Sequence, residues 1–189
     1  MSHPISLTLS DDLERNRLTV FFRLILAIPH LIWLGLWGIV ASLAVIVSWF
    51  ATLFAGQTPA GLHNFIAQYL RYSTQVYGYL LFLADPYPGF LGDTDYAADL
   101  VIAPPAPQNR WKTGFRIILG IPALIVAGVL RYLVGVVAVI AWFACLFTGA
   151  MPLGMRNLTA WIVRFTQQTN GYMFLLTDRY PSFSTDTTE

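Results

Sequence analysis

The amino-acid sequence predicts an all-α membrane protein: two tandem repeats of an interfacial helix plus a transmembrane helical hairpin, with four transmembrane helices in total. Three observations lead there. Of 189 residues, 56% are hydrophobic and 11% charged, with a mean hydropathy of +0.59, against roughly 25% charged in an ordinary soluble domain. The apolar runs are longer than a core helix needs. The second half of the chain also repeats the first.

Laid over residues 110–183 without a gap, at an offset of 93, residues 17–90 show 29 identities in 74 positions. Many of the matches are not apolar: Arg17/Arg110, Arg23/Arg116, Pro29/Pro122, Gly56/Gly149, Pro59/Pro152, Asn64/Asn157, Arg71/Arg164, Gln75/Gln168 and Asp85/Asp178. Shared apolar composition does not produce such matches, so duplication is the reading. Residues 1–90 form the first membrane repeat, 91–109 a linker, 110–183 the second repeat and 184–189 a C-terminal tail.

Taken in order, residues 1–17 carry Asp11, Asp12 and Glu14, and no small-residue cleavage site follows, so the first apolar segment reads as an uncleaved anchor. Leu18 to Ala55 would be about 57 Å as one straight helix, against a hydrocarbon core of about 30 Å. Pro29 is expected to break it, giving an interfacial helix near 12–28, capped from the Asp11–Glu14 box, and a spanning helix over about 30–55. Pro122 repeats the break. Gly56-Gln57-Thr58-Pro59 and Gly149-Ala150-Met151-Pro152 read as turns before a second helix, over about 59–84 and 152–177. An alternative of three spans per unit would make the repeats inverted.

Two spans per unit return the chain to one face. Arg15, Arg17, Arg23, Arg110, Lys112, Arg116 and Arg179 are then expected there with both termini, against Arg156 opposite, which the positive-inside rule makes cytoplasmic in a multi-pass inner (plasma) membrane protein. Tyr79, Tyr87, Trp111, Tyr172 and Tyr180 would form an aromatic belt near that face. The linker is rich in proline and acid. Within it Leu100-Val101-Ile102 lies near the 93-residue register of Ile5–Leu9, so each unit is expected to open on an extended segment that pairs with its counterpart or with another subunit.

Two constellations carry the candidate site residues. On the second helix of the first unit, Asn64, Gln68, Arg71, Gln75 and Gly78 step by four, three, four and three, forming one polar stripe; Asn157, Arg164, Gln168 and Gly171 repeat it, with Trp161 in place of Gln68. An arginine near a bilayer midplane costs at least about 2.5 kcal/mol, so Arg71 and Arg164 are expected to face a partner, a wet cavity or a headgroup. A structural polar seam and a lipid or solute site are both open readings. Arg23 with Asp85, and Arg116 with Asp178, form the second constellation, a candidate clasp at the ends of each unit.

Other chemistry is sparse. His3, His30 and His63 have no counterparts in the second unit and no ligand spacing, so no metal, cofactor or catalytic residue is expected. The net charge of +1 offers no basic patch for nucleic acid. A single cysteine, Cys145, leaves no intrachain disulfide.

The strings FFRLILAIPH, WFATLFAGQTP and LADPYPGF, with FRIILGIPAL, WFACLFTGAMP and LTDRYPSF, resemble a bacterial integral-membrane family of unknown function. Its pattern is Leu-Phe-Arg, Ile-Pro-His, Phe-Thr-Gly-x-x-Pro and Asp-x-Tyr-Pro-Pro-Phe. The resemblance covers nearly the whole chain, twice. It implies an integral membrane protein and supplies no activity. Ala123 departs from its histidine, and Gly89 and Ser182 from its second closing proline. The functional expectation is a non-enzymatic accessory or scaffold subunit in contact with membrane lipids and with other integral membrane proteins or further copies of itself. The alternative is a lipid-binding or small-solute transport protein that uses the polar seam.

Overall fold

A computed structural model describes residues 3–184, which leaves all of the predicted tail except Ser184 outside the described residues. In chain order the elements are β1 (Ile5–Leu9), α1 (Arg17–Ala55), α2 (Ala60–Leu80), β2 (Ala98–Ile102), α3 (Arg110–Gly114), α4 (Arg116–Thr148) and α5 (Leu153–Met173). The strands touch α2 and α5, and these two helices in turn touch α1 and α4. The molecule is therefore layered: a two-stranded sheet, a middle layer of α2 and α5, and an outer layer of α1 and α4.

Helix α1 runs unbroken for 39 residues with Pro29 inside it, correcting the expected break. Proline deletes one hydrogen bond, but side chains on both flanks of it are tied to α2: Arg23 donates to Tyr79 O, and His30 Nδ1 lies 2.8 Å from Tyr72 Oη. In the second unit the break falls at Phe115, between α3 and α4, while Pro122 again lies inside a helix. Gly114 stands there where the first unit has Phe21, and glycine is about 1 kcal/mol poorer than alanine in a helix interior. The expected Asp11–Glu14 cap is also corrected: Asn16 caps α1 by accepting from Leu18 N and Thr19 N, and Asn109 caps α3 in the same way. Asp11 instead accepts from Asp85 N at 2.7 Å.

Among the described residues two helices, not four, are long and apolar enough to cross a membrane: α1 and α4, with mean hydropathies of 2.3 and 2.5 in their most apolar windows. Helices α2 and α5 have adequate length, at 21 residues each, but the polar stripe and the strands packed on it deprive them of an apolar circumference. The expected four transmembrane helices are therefore not supported: two candidate spans are present among the described residues.

The two units are exchanged about a pseudo-twofold axis. Strand β1 pairs antiparallel with β2, with Ile5 opposite Ile102, Leu7 opposite Leu100 and Leu9 opposite Ala98. At the 93-residue offset, Ile5 corresponds to Ala98, Leu7 to Leu100 and Leu9 to Ile102, so the axis passes between Leu7 and Leu100. The predicted linker thus contains a strand of the second unit, and each strand lies on the other unit's helix, β1 on α5 and β2 on α2. Gly78 and Gly171 permit this approach: a Cβ on Gly78 would sit 2.9 Å from Ala98 Cβ, and one on Gly171 would collide with Ile5 Cδ1.

Reciprocal contacts repeat at the far ends of the outer layer. Trp49 Nε1 donates to Thr113 O at 2.9 Å, and its counterpart Trp142 Nε1 donates to Val20 O at 3.1 Å. Gln108 N donates to Gly56 O, and Arg15 N donates to Gly149 O, both at 2.8 Å. The start of each long helix therefore meets the end of the other, and α1 and α4 run antiparallel. Arg15, Arg17 and Arg23 lie at one end of α1, while Arg110 lies at Gly56 beyond its other end and Arg116 lies beside Val45 and Trp49 near that end. These cations therefore fall at two opposite ends of the α1–α4 layer instead of one, because the exchange of units reverses the second relative to the first.

Candidate functional site

The clasp pairs close each unit from inside. Arg23 Nη2 lies 2.5 Å from Asp85 Oδ1, and Arg116 Nη2 lies 3.1 Å from Asp178 Oδ1. Both guanidinium side chains are only 1% exposed, so each needs several acceptors to offset desolvation. Arg23 Nη1 donates to Tyr79 O and Ala84 O, and Arg116 Nη1 donates to Tyr172 O and Thr177 O. Their planes rest over aromatic rings, Arg23 at 4.3 Å from the Tyr79 centroid and Arg116 at 4.6 Å from that of Tyr172. Tyr79 and Tyr172 are thus buried beneath arginines instead of standing in a surface belt, while Tyr87 and Tyr180 stay exposed.

The stripe residues have separate fates. Asn64 and Asn157 are exposed. Gln68 Nε2 donates to Leu91 O at 3.0 Å, and Trp161, in the same register, donates through Nε1 to Phe183 O at 3.3 Å. Gln75 Nε2 donates to Asp93 O at 2.5 Å. Gln168 is buried, donates to Ile5 O at 3.0 Å and accepts from Ser182 N at 3.0 Å. Arg71 Nε donates to Leu100 O at 3.2 Å and lies 3.2 Å from Asp99 Oδ1. With the N–H aimed at the carbonyl, the Asp99 contact is an ion pair without hydrogen-bond alignment. Arg164 is buried in α5, 2% exposed. Between them these side chains lace the strands, and the segment after each helix pair, onto α2 and α5.

Burial pushes the Asp99 carboxyl above the ordinary carboxylate range, against the Leu100 N–H and the Arg71 charge, which pull it down. Folding therefore favours the protonated acid. The contribution of Asp99 to stability is full below its unfolded pKa and is lost as pH rises through the folded one. In denaturant titrations, wild type should gain stability relative to Asp99→Asn as pH is lowered from about 6 to about 4. A difference that stays flat over that range contradicts the assignment.

The structure gives further residues roles that the sequence does not. Arg15, its side chain fully buried, donates to Phe82 O and Leu83 O at 3.1 Å each, and its counterpart Gln108 donates to Leu175 O at 2.6 Å. The 93-residue offset, extended upstream of Arg17, pairs these two positions and also the capping asparagines. Arg131 has no such signal, because glycine stands at its counterpart, Gly38. It lies at the middle of α4 and lines a cavity of about 400 Å³ on the pseudo-twofold axis, with Ser73, Tyr77, Gln167 and Asn170. The histidines lie apart. His30 stacks on Phe90 at 4.3 Å between centroids, and His63 is buried near the start of α2.

Comparison with known proteins decides the family. A model described as a domain of unknown function, DUF4389, matches residues 17–92 and again residues 110–185. The chain belongs to the DUF4389 family. Both matches begin and end 93 residues apart, so the chain is a tandem pair of DUF4389 domains, and both strands lie outside the matched residues. No curated protein and no solved structure matches the chain.

Proposed function

We propose that this tandem DUF4389 protein is a non-enzymatic integral membrane accessory or scaffold subunit of the bacterial inner membrane, with the outer layer of α1 and α4 as its working surface. One observation carries the reading. The polar stripe and the clasps are spent inside the fold on strands, carbonyls and carboxylates, whereas α1 and α4 present large side chains such as Leu24, Ile39, Phe54, Ile125 and Phe147 outward at half exposure or more. An apolar surface of that extent suits lipid and the flanks of other membrane proteins.

The test is a photo-crosslinking side chain at Ile39 or Ile125 in cells. A discrete protein adduct is expected at one of them. Adducts to lipid alone would contradict the accessory role and leave the second reading, a lipid-binding protein. That reading is favoured by the axial cavity, where Arg131 forms no ion pair or hydrogen bond among the described residues. It predicts that Arg131→Leu stays folded and loses co-purifying anionic lipid.

A further inference from the structure

Three observations bear on how the outer layer meets a bilayer, and they do not fit two crossing helices. The first is irregular backbone beside the middle of the long helices. Trp33, near the midpoint of α1, donates to Phe90 O at 3.0 Å, and Gln68, near the midpoint of α2, donates to Leu91 O. The chain then continues through exposed Asp93, Thr94 and Asp95 to the two-stranded sheet. With α1 along the bilayer normal, this non-helical segment, its carboxylates and two open strand edges would lie at mid-depth. Unpaired backbone exposed to lipid there costs several kcal/mol per group.

The second is length. Helix α1 has 39 residues, about 58 Å at 1.5 Å per residue, nearly twice a hydrocarbon core of about 30 Å. The third is charge. Besides Arg23 and Arg116, which the clasps hold inside the fold, helices α1, α3 and α4 hold Arg17, Arg110, Lys112 and Arg131 and no acidic residue. The described carboxylates all lie in the loops and strands.

The geometry points to a monotopic seat: α1 and α4 lie in the plane of the membrane, submerged in one leaflet of anionic lipid, with the pseudo-twofold axis along the bilayer normal and the sheet held in water. A helix about 10–12 Å across fits within one leaflet of about 15 Å of hydrocarbon. Exposed Arg17, Arg110 and Lys112, at the two ends of the layer, reach the headgroup plane at equal depth because the axis relates Arg17 to Arg110. Exposed Tyr87 and Phe90, beside α1, fall where the interface would be. This inference rests on the membrane reading above and replaces a crossing orientation with a lying one.

The test is sidedness. Asp12 and Gln57 are exposed at opposite ends of α1. Each is changed to cysteine in a Cys145→Ala background and treated with a membrane-impermeant maleimide in sealed vesicles before and after lysis. A lying layer gives both sites the same behaviour, labelled intact or only after lysis. One site labelled intact and the other only after lysis overturns the inference while sparing the membrane reading. Release of the wild-type chain by alkaline carbonate overturns both. Glu14→Cys with Ala106→Cys, exposed at the same two ends, serves if the first pair misfolds.

Discussion

Arg23→Leu is expected to destabilise the fold by about 3–5 kcal/mol, the cost of leaving one partner of a buried pair behind. The substitution strips Asp85 of its 2.5 Å partner and leaves the Tyr79 and Ala84 carbonyls without the guanidinium. It also removes the cation from the Tyr79 ring. Arg116→Leu should cost a similar amount, because the second clasp is built on equivalent atoms. Arg71→Leu is the control. Its side chain is 25% exposed, it donates to one carbonyl, and it meets Asp99 without hydrogen-bond alignment, so its loss should cost about 1 kcal/mol or less. Thermal unfolding in mild detergent reads all three. Equal losses for Arg23→Leu and Arg71→Leu would contradict the clasp as the stronger tie.

Gly78→Val should cost about 1–3 kcal/mol through overpacking, and more if β2 lifts off α2. The obstacle is Ala98 Cβ, 2.9 Å from the position of an added Cβ, and that atom is fixed to the strand backbone, so the whole strand must move. At the equivalent site, an alanine at Gly171 meets Ile5 Cδ1, the mobile end of a side chain. Gly171→Ala should therefore be milder and should be relieved by Ile5→Val, which deletes the obstructing methyl. A double-mutant cycle measures the relief. If Ile5→Val costs as much in the Gly171→Ala background as alone, about 0.5–1.5 kcal/mol, the close packing of strand on helix is not what these glycines serve.

The duplication was legible because polar and special-geometry residues recur at one spacing, and a fixed offset needs no three-dimensional information. The same offset carried the strands close to their register, though it placed the second one at 100–102 instead of 98–102. Arg23 and Asp85 stand out because each has a charged counterpart 93 residues away. The Arg71 partner does not, since Asp99 aligns with Ser6, and its contact arises only when β2 of one unit folds onto α2 of the other.

The number of candidate spans differs from the expected four for another reason. A stripe at helical spacing looks the same whether it faces a sister helix in lipid or a strand in water, and α2 and α5 carry such a stripe. The break expected at Pro29 does not form, because the Arg23 and His30 ties to α2 on either side of it offset the cost of one lost hydrogen bond. The exchange of units was invisible as well. It reverses the second repeat relative to the first and moves Arg110 and Arg116 to the end of the molecule opposite Arg17 and Arg23.

A depth profile along α1 tests the lying orientation most directly. Leu18, Ile25, Ile32, Ile39 and Ile46 recur every seven residues, so they share one face of the helix apart from a drift of about 20° per step, and each is more than half exposed. Spin labels at these sites in liposomes of anionic lipid, read by oxygen and nickel-chelate accessibility, should report nearly equal depths from Leu18 to Ile46, a path of about 42 Å along the axis. A profile that deepens to Ile32 or Ile39 and becomes shallow again toward both ends would mean that α1 crosses the bilayer and would contradict the lying orientation.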